Sequence, residues 1–256
     1  MVLPDYEYKG LMAEAWDILR GDTSNWVDRF FYLELIKQNG QPVLDVGCGT
    51  GRLLLDYLQQ GIDIDGVDNS PEMLAICLAK AEKIGINPNL YEQYLESLDI
   101  PRKYQVILIP SSSIQLIIEP DKVQKSLKKL YAHLLPGGVI AASIMSLWKP
   151  GDELFSEWER TAIDPRSGRK YRRVARSWYD PGTECEHTQD FYQLIEDGEV
   201  VKEENHQRSP ATRSYTQNQA RELFQSAGYN EINLYSEFTF EPVKPTDTLF
   251  TVVAKK

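Results

Sequence analysis

The sequence predicts an α/β fold, in which a mostly parallel sheet carries helices on both faces. Short apolar runs at 42–46, 62–68, 90–94, 104–109 and 139–142 are typical of buried strands. Amphipathic segments separate these runs, so strand and helix alternate along the first half of the chain, as in a doubly wound sheet. Ligands of such sheets bind beyond the carboxyl ends of the strands. The residues that follow each predicted strand are therefore the first candidates for a site.

The helices of this half begin or end at recognisable signals. Residues 50–60 carry apolar side chains on one face and stop at Gly61. Residues 70–72, Ser-Pro-Glu, predict the start of a second helix, with Ser as N-cap, Pro at the first position and an acid in the first turn. Apolar residues at helical spacing predict a third helix over 121–135.

Composition excludes several classes of protein. The chain has 256 residues, of which 42% are apolar and 11% aromatic, too many for a disordered protein. The formal net charge of −10 disfavours a nucleic-acid partner, because a polyanion is repelled by the average field. We find no apolar run long enough to cross a membrane and no secretory signal, so we expect no membrane partner.

The three cysteines are widely spaced. Cys48, Cys77 and Cys185 form no pair with the spacing of metal ligands, so no metal is expected. An odd, scattered set of this kind is typical of a reducing compartment. We therefore expect a cytoplasmic location.

A glycine-rich loop follows the first strand. Gly47 and Gly49 let the backbone turn tightly and let a ligand approach closely. The spacing G-x-G-x-G lacks the extra residue of the dinucleotide motif, and no Lys-Ser/Thr follows it, as a phosphate loop would require. Asp45 would repel a pyrophosphate but suits a cation, while Asp68, which ends the second strand, suits the hydroxyls of a ribose. The pattern indicates a ligand with a ribose and a cationic, amino-acid-like group.

The motifs at 43–51, 66–74 and 134–138 together resemble the class I (Rossmann-like) S-adenosylmethionine-dependent methyltransferases, in their small-molecule (type 11-like) branch. The resemblance implies a seven-stranded sheet with one antiparallel strand. It also implies S-adenosyl-L-methionine as cofactor and S-adenosyl-L-homocysteine as product. The expected reaction is in-line displacement of the methyl group onto an O or N atom of a small-molecule acceptor.

The resemblance also implies where the cofactor lies. The methionyl group would lie along the glycine loop, the ribose at the second strand, the adenine beside the following helix, and the methyl donor after the fourth strand. Tyr94 stands where the family usually has an Asp, so Gln93, Glu96 or a backbone carbonyl would bind the adenine amino group instead. In that order, the implied cofactor-binding residues are Asp45, Gly47, Cys48, Gly49, Asp68, Asn69, Met73, Gln93, Leu95 and Ser111.

The remaining segments suggest one methyltransferase domain over 1–256. We expect an N-terminal helical cap at 1–40, a cofactor-binding core at 41–145 and a C-terminal helix with two closing strands at 214–256. Between them, turn signals and β-rich runs predict an antiparallel insertion at 146–213, which by analogy would form a lid over the acceptor.

Candidate acceptor residues come from the cap and the insertion. Tyr6, Trp26, Trp148 and Arg176 are the substrate-binding candidates, and His187 is a weak candidate for a general base. No residue is an obvious catalyst, as expected when methyl transfer needs mainly alignment. The chain would act as a monomer or a homodimer.

Two alternative functions stay open. The arginine-rich hairpin at 166–176 is either a charged edge that prevents aggregation or a docking face for an anionic acceptor, including RNA. A non-catalytic module that only binds the cofactor is the other alternative.

Overall fold

The computed structural model describes residues 8–256, which form helices and strands in the predicted alternation. The helices are α1 (Gly10–Arg20), α2 (Val27–Asn39), α3 (Leu54–Gln59), α4 (Pro71–Lys83), α5 (Pro120–His133) and α6 (Gln217–Ser226). The strands are β1 (Val43–Val46), β2 (Ile64–Asp68), β3 (Leu90–Glu92), β4 (Tyr104–Ile109), β5 (Leu134–Met145), β6 (Phe155–Ile163), β7 (Lys170–Asp180), β8 (Cys185–Glu196), β9 (Glu199–Arg213), β10 (Asn230–Ser236) and β11 (Leu249–Lys255).

Seven strands form the main sheet, in the order β10-β11-β5-β4-β1-β2-β3. The neighbours from β5 to β3 are parallel, and β11 runs antiparallel to both β5 and β10. The sheet therefore has one antiparallel strand, as the resemblance implied. The strand order reverses between β1 and β4, which makes the carboxyl ends of these strands the switch point where a ligand is expected.

Apolar cores cover both faces of the main sheet, which confirms the doubly wound α/β fold. On one face, Leu127 of α5 and Phe224 of α6 are fully buried against the strands. On the other face, Tyr57 of α3 and Leu74 of α4 pack with residues of α2. Strand β4 is buried on both sides for this reason.

The second sheet is antiparallel and has the order β6-β7-β8-β9, so the predicted β insertion after β5 is confirmed. One of its faces packs against α1, where Leu11 and Ala15 contact Tyr171, Tyr192 and Leu194. Helix α1 thus lies between the second sheet and the main sheet. None of the helices in residues 8–256 is long and apolar enough to span a membrane.

Several element boundaries differ from those predicted. The helix expected from residue 50 begins at Leu54, because Gly51 adopts a left-handed conformation with φ of +82° that a helix does not contain. Helix α2 begins after Trp26, which offers no side-chain cap. Ser70 is the N-cap predicted for α4, and its hydroxyl accepts a hydrogen bond from the Met73 amide at 3.1 Å.

Candidate functional site

A cavity of about 630 Å³ opens at the carboxyl ends of β1, β2 and β4, at the switch point of the sheet. All of the residues that the resemblance assigned to the cofactor line it, from Asp45 to Ser111. The other side is lined by α1, by the segment 116–119 and by β9 of the second sheet. Residues from distant parts of the chain therefore meet around one space.

Asp45 lies at the base of this cavity and is 1% exposed. Its Oδ1 atom has no hydrogen-bond partner among the described residues. Burial raises the pKa of Asp45 to about 7, and the nearby Arg52 acts in the opposite direction. A buried acceptor without a donor is unfavourable unless a ligand supplies one.

Asp68 is held at the end of β2 by two backbone amides. Its Oδ2 accepts a hydrogen bond from Gly49 at 2.9 Å, and its Oδ1 accepts one from Ser70 at 2.8 Å. Burial raises the pKa of Asp68, and these hydrogen bonds act against that rise. A carboxylate has about four lone-pair sites, so each oxygen can still accept a bond from a ligand hydroxyl.

The glycine loop leaves no room for side chains. Gly47 and Gly49 have φ of +68° and +53°, a region that L side chains rarely adopt. A Cβ on Gly47 would lie 2.8 Å from the Oγ atom of Ser113, and one on Gly49 would lie 3.2 Å from the Cε atom of Met73. The loop therefore presents bare backbone to the cavity.

The turn after β4 is strained. Ser111 and Ser112 have φ of +54° and +57°, an uncommon left-handed pair outside glycine. The amide of Ser112 donates to the Ser143 hydroxyl at 2.9 Å, and Nη2 of Arg20 donates to the Ser111 hydroxyl at 3.2 Å. These contacts fix the Ser111 side chain at the cavity wall.

Helices α1 and α2 hold the glycine loop from outside. Asp17 accepts hydrogen bonds from the Thr50 hydroxyl at 2.7 Å and from Lys80 at 2.9 Å. Asp28 and Arg52 form a buried two-pronged ion pair, with oxygen–nitrogen distances of 2.5 and 3.1 Å. The cap thus fixes the wall of the cavity on which Asp45 lies.

Sequence reasoning missed part of this cavity wall. The many aromatic residues of the N-terminal cap indicate that some of them, such as Tyr8 and Trp16, could line a site. No sequence motif marks the other lining residues. The missed lining residues include Tyr8, Trp16, Arg20, Arg52, Ser113, Leu116, Ile117, Ile118, Glu119, Lys122, Arg208 and Pro210.

Two tryptophans expected at the acceptor do not line the cavity. The Trp26 ring lies behind the wall, with the guanidinium groups of Arg20 and Arg52 at 4.8 and 5.2 Å from its centroid. Trp148 stacks on Tyr179 at 5.6 Å, because the chain leaves β5 towards the outer edge of the second sheet. Tyr6 lies outside the described residues.

His187 and Arg176 also lie away from the cavity, and neither of them lines it. His187 stacks on Trp178 at 5.4 Å, and its Nδ1 atom lies 2.6 Å from the Ser209 hydroxyl. Arg176 forms an ion pair with Glu157 across β6 and β7. Both belong to the sheet face opposite to α1, because neighbouring side chains on a strand alternate between faces.

Carboxylates accompany most of the arginines of the 166–176 hairpin. Arg169 pairs with Glu196 at 2.6 Å, Arg172 with Glu159 at 2.7 Å and Arg173 with Asp190 at 2.8 Å. This pairing is typical of a charged sheet surface. Within residues 8–256 there is no group of three His, Cys, Asp or Glu side chains placed to hold a metal ion.

Comparison with known proteins agrees with this geometry. Residues 43–138, which contain the glycine loop and Asp68, match the family model described as a methyltransferase domain. A putative methyltransferase of Geobacillus sp. (strain WCH70) is 27% identical over 224 residues, which are 86% of each chain.

Two further proteins are similar to this chain, one in sequence and one in fold. The dTDP-3-amino-3,6-dideoxy-alpha-D-glucopyranose N,N-dimethyltransferase of Streptomyces fradiae is 26% identical over 54% of each chain. The crystal structure of an S-adenosylmethionine-dependent methyltransferase from Clostridium acetobutylicum superposes with a TM-score of 0.75 at 22% identity, covering 94% of this chain and 96% of that one. The family match over residues 43–138, the fold and these relatives support the conclusion that this chain is an S-adenosylmethionine-dependent methyltransferase, whose methyl donor is S-adenosyl-L-methionine.

Proposed function

We propose that this methyltransferase modifies an N or O atom of a small-molecule acceptor that enters the cavity between α1 and β9. The observation that carries this proposal is that the second sheet forms part of the cavity wall, through Arg208 and Pro210. A volume of about 630 Å³ is within the range of small-molecule sites. A macromolecular acceptor would need an open surface beside the methyl donor instead.

The lining residues fit the cofactor group by group. The unpartnered oxygen of Asp45 suits an ammonium, the bare backbone of Gly47 and Gly49 suits a closely packed methionyl chain, and Asp68 suits the two ribose hydroxyls. Asn69, Met73, Gln93 and Leu95 line the same cavity beyond Asp68, on the side proposed for adenine. Glu96 and Tyr94 also line the cavity there, and Tyr94 stands where the family usually has an Asp.

The cofactor supplies an electrophilic methyl group on a sulfonium, which is a good leaving group. The part left to the protein is to exclude water and to align the acceptor. The fixed turn at Ser111 and the apolar side chains of Leu116, Ile117 and Ile118 provide a rigid, largely apolar wall for this purpose. No histidine lines this cavity in residues 8–256, so we propose that the acceptor arrives with a free lone pair.

An amine is the first acceptor class to test, because the relative from Streptomyces fradiae is named for N,N-dimethylation of an amino sugar. The cytoplasm is the proposed location, supported by three cysteines that are free and buried.

Asp68→Asn tests the proposed site. The substitution keeps an oxygen for the loop amides but removes the charge, so we expect S-adenosylhomocysteine to bind about 10- to 150-fold more weakly by calorimetry, since a charged hydrogen bond contributes about 1.5–3 kcal/mol. Asp121→Asn, at an exposed position in the first turn of α5, is the matched control and should bind as the wild type does.

Equal affinity of the wild type and Asp68→Asn would show that the ribose lies elsewhere. Methyl transfer to a panel of amines and alcohols, followed by mass spectrometry, tests the acceptor class. Cofactor binding without turnover on any of them would favour the non-catalytic alternative.

A further inference from the structure

Strand β6 is an outer strand of the second sheet, and one of its edges is open. Within residues 8–256, β7 is the only strand that pairs with it. Eight of its nine residues are exposed, and Ala162 is the exception. Along the open edge, backbone amides and carbonyls therefore form a row of hydrogen-bonding groups that another strand can meet.

This edge lacks the features by which proteins usually prevent association between edge strands. Proline, lysine and bulges are common among those features. Strand β6 has no proline or lysine, pairs with β7 without interruption, and exposes Phe155 by 55%, Trp158 by 43% and Ile163 by 62%. The other outer strand, β9, contains Lys202 and Pro210, and its pairing with β8 shifts register twice. Of the two outer strands, β6 is the one suited to a partner.

The sequence of β6 complements itself when two copies run antiparallel. With Glu159 at the centre of the pairing, Phe155 of one copy faces Ile163 of the other, and this contact occurs at both ends. The same register places Trp158 opposite Arg160, which allows a cation–π contact. The exposed apolar and aromatic side chains of the strand thus find partners in a second copy of the same strand.

The charged side chains of β6 favour this register over the two nearest ones. With Trp158 at the centre, Glu157 would face Glu159 of the other copy twice, and like charges directly opposite are destabilising. With Arg160 at the centre, the apolar ends of the strands would no longer face each other. With Glu159 at the centre, the two Glu159 carboxylates face each other, but each accepts hydrogen bonds from Arg172 of its own copy at 2.7 and 2.8 Å.

We propose that two copies of this chain associate through β6, in an antiparallel pairing centred on Glu159. The two four-stranded sheets then form one sheet of eight strands. Main-chain hydrogen bonds supply the attraction at an open edge, and the facing side chains set the register. The contact has two-fold symmetry, so assembly ends at the dimer. No residue of β6 lines the cavity, so each copy keeps its own site.

Sedimentation velocity of the full chain over a range of concentrations tests this pairing. Nine residues per copy are fewer than the roughly 20–30 of a standard interface, so we expect a dimer that dissociates at micromolar concentrations. Phe155→Lys and Ile163→Glu each replace an apolar contact with a charge facing an apolar side chain, at both ends of the pairing. Each variant should therefore weaken the dimer about 10-fold or more.

The double variant Phe155→Lys, Ile163→Glu tests the register. In the proposed pairing the introduced lysine of one copy faces the introduced glutamate of the other, so the double variant should recover most of the affinity that each single variant loses. Val201→Lys is the control, because Val201 is 52% exposed on β9 and its substitution should leave the dimer unchanged. Circular dichroism and urea denaturation check that every variant folds as the wild type does.

Each other result overturns a stated part of the proposal. A wild type that stays monomeric at every concentration, or a dimer that tolerates both single variants, would exclude β6 as the interface. Failure of the double variant to recover affinity would exclude the register centred on Glu159. Loss of the dimer in Val201→Lys alone would place the interface on β9.

Discussion

Asp45 and Asp68 lie near the carboxyl ends of neighbouring strands and are both largely buried, but they differ in their hydrogen-bond partners. Two backbone amides bond to Asp68, so its ionised form is partly stabilised before any ligand arrives. Asp45 has an oxygen with no partner, and burial raises its pKa to about 7. A cationic ligand should therefore change the protonation of Asp45 more than that of Asp68.

Binding of S-adenosylhomocysteine should release a proton from Asp45. An ammonium beside the carboxylate favours its ionised form, so we expect release of nearly one proton at pH 6 and of little at pH 8, on either side of the pKa of about 7. Calorimetry in buffers with different ionisation enthalpies measures this number. Asp45→Asn should remove the release at pH 6, and a wild-type protein without any release would contradict the raised pKa.

The same pKa determines how Asp45 affects stability without ligand. The folded pKa of about 7 lies above the value of about 3.9 expected in the unfolded chain, so the protonated acid favours the folded state. This contribution is complete below about pH 4 and is lost as the pH rises through 7. We expect Asp45→Asn to flatten the fall in the free energy of unfolding between pH 5 and pH 7.

Helices α1 and α2 are the elements that connect the cavity to the rest of the molecule. The amides of Gly10 and Leu11, at the start of α1, donate to Glu72 of α4 at 2.6 Å and to Glu204 of β9 at 2.7 Å. Acids are favourable at a helix N-terminus, so these contacts hold α1 against both the main sheet and the second sheet. Since Arg20 ends the same helix, its position depends on both.

Removing one partner of the buried pair between α2 and the glycine loop should destabilise the protein strongly. The side chains of Arg52 and Asp28 are 12% and 6% exposed, so Asp28→Asn leaves a buried cation with a weaker partner. We expect a loss of about 3 kcal/mol in the free energy of unfolding, measured by urea denaturation. Glu231→Gln, which breaks an exposed pair with Lys255, should cost less than about 1 kcal/mol. If both variants lost a similar amount of the free energy of unfolding, the buried pair would not stabilise the protein more than an exposed pair does.

The net charge of −10 hides a local pattern of opposite charges on the second sheet. The second sheet concentrates arginines on β7, but carboxylates of β6 and β8 lie opposite them. Paired charges of this kind contribute little long-range attraction for a polyanion. The structure therefore favours the charged sheet surface over the nucleic-acid alternative.

Binding of RNA should accordingly be weak and nearly independent of salt. We expect fluorescence anisotropy with a labelled single-stranded RNA to show no binding at 150 mM salt, because few arginines are available to displace counterions. The double variant Glu157→Gln, Glu159→Gln releases Arg176 and Arg172 from their partners, so it should bind RNA more tightly than the wild type. Tight wild-type binding that falls steeply with salt would restore an RNA acceptor.

The sequence predicts those parts of the site that depend on neighbouring residues. A glycine loop after a strand, an acid at the end of the next strand and an N-cap at Ser70 are local features, and the structure brings their residues to one cavity. Element boundaries were less predictable, because Gly51 adopts a left-handed conformation and because α2 begins after Trp26 without a side-chain cap. His187 and Arg176 carry suitable chemistry, but the alternation of the strands places them on the far face of the second sheet.

Short-range patterns of burial and turns specify the α/β class, the alternation of the main sheet and the cavity-lining residues of the glycine loop and Asp68. The side chains that complete the cavity come from helix and sheet packing instead. Arg20 meets Ser111 across 91 positions of the chain, and Arg208 and Pro210 reach the same space from the second sheet. Contacts between such distant residues follow from how helices and sheets pack, and no local spacing encodes them.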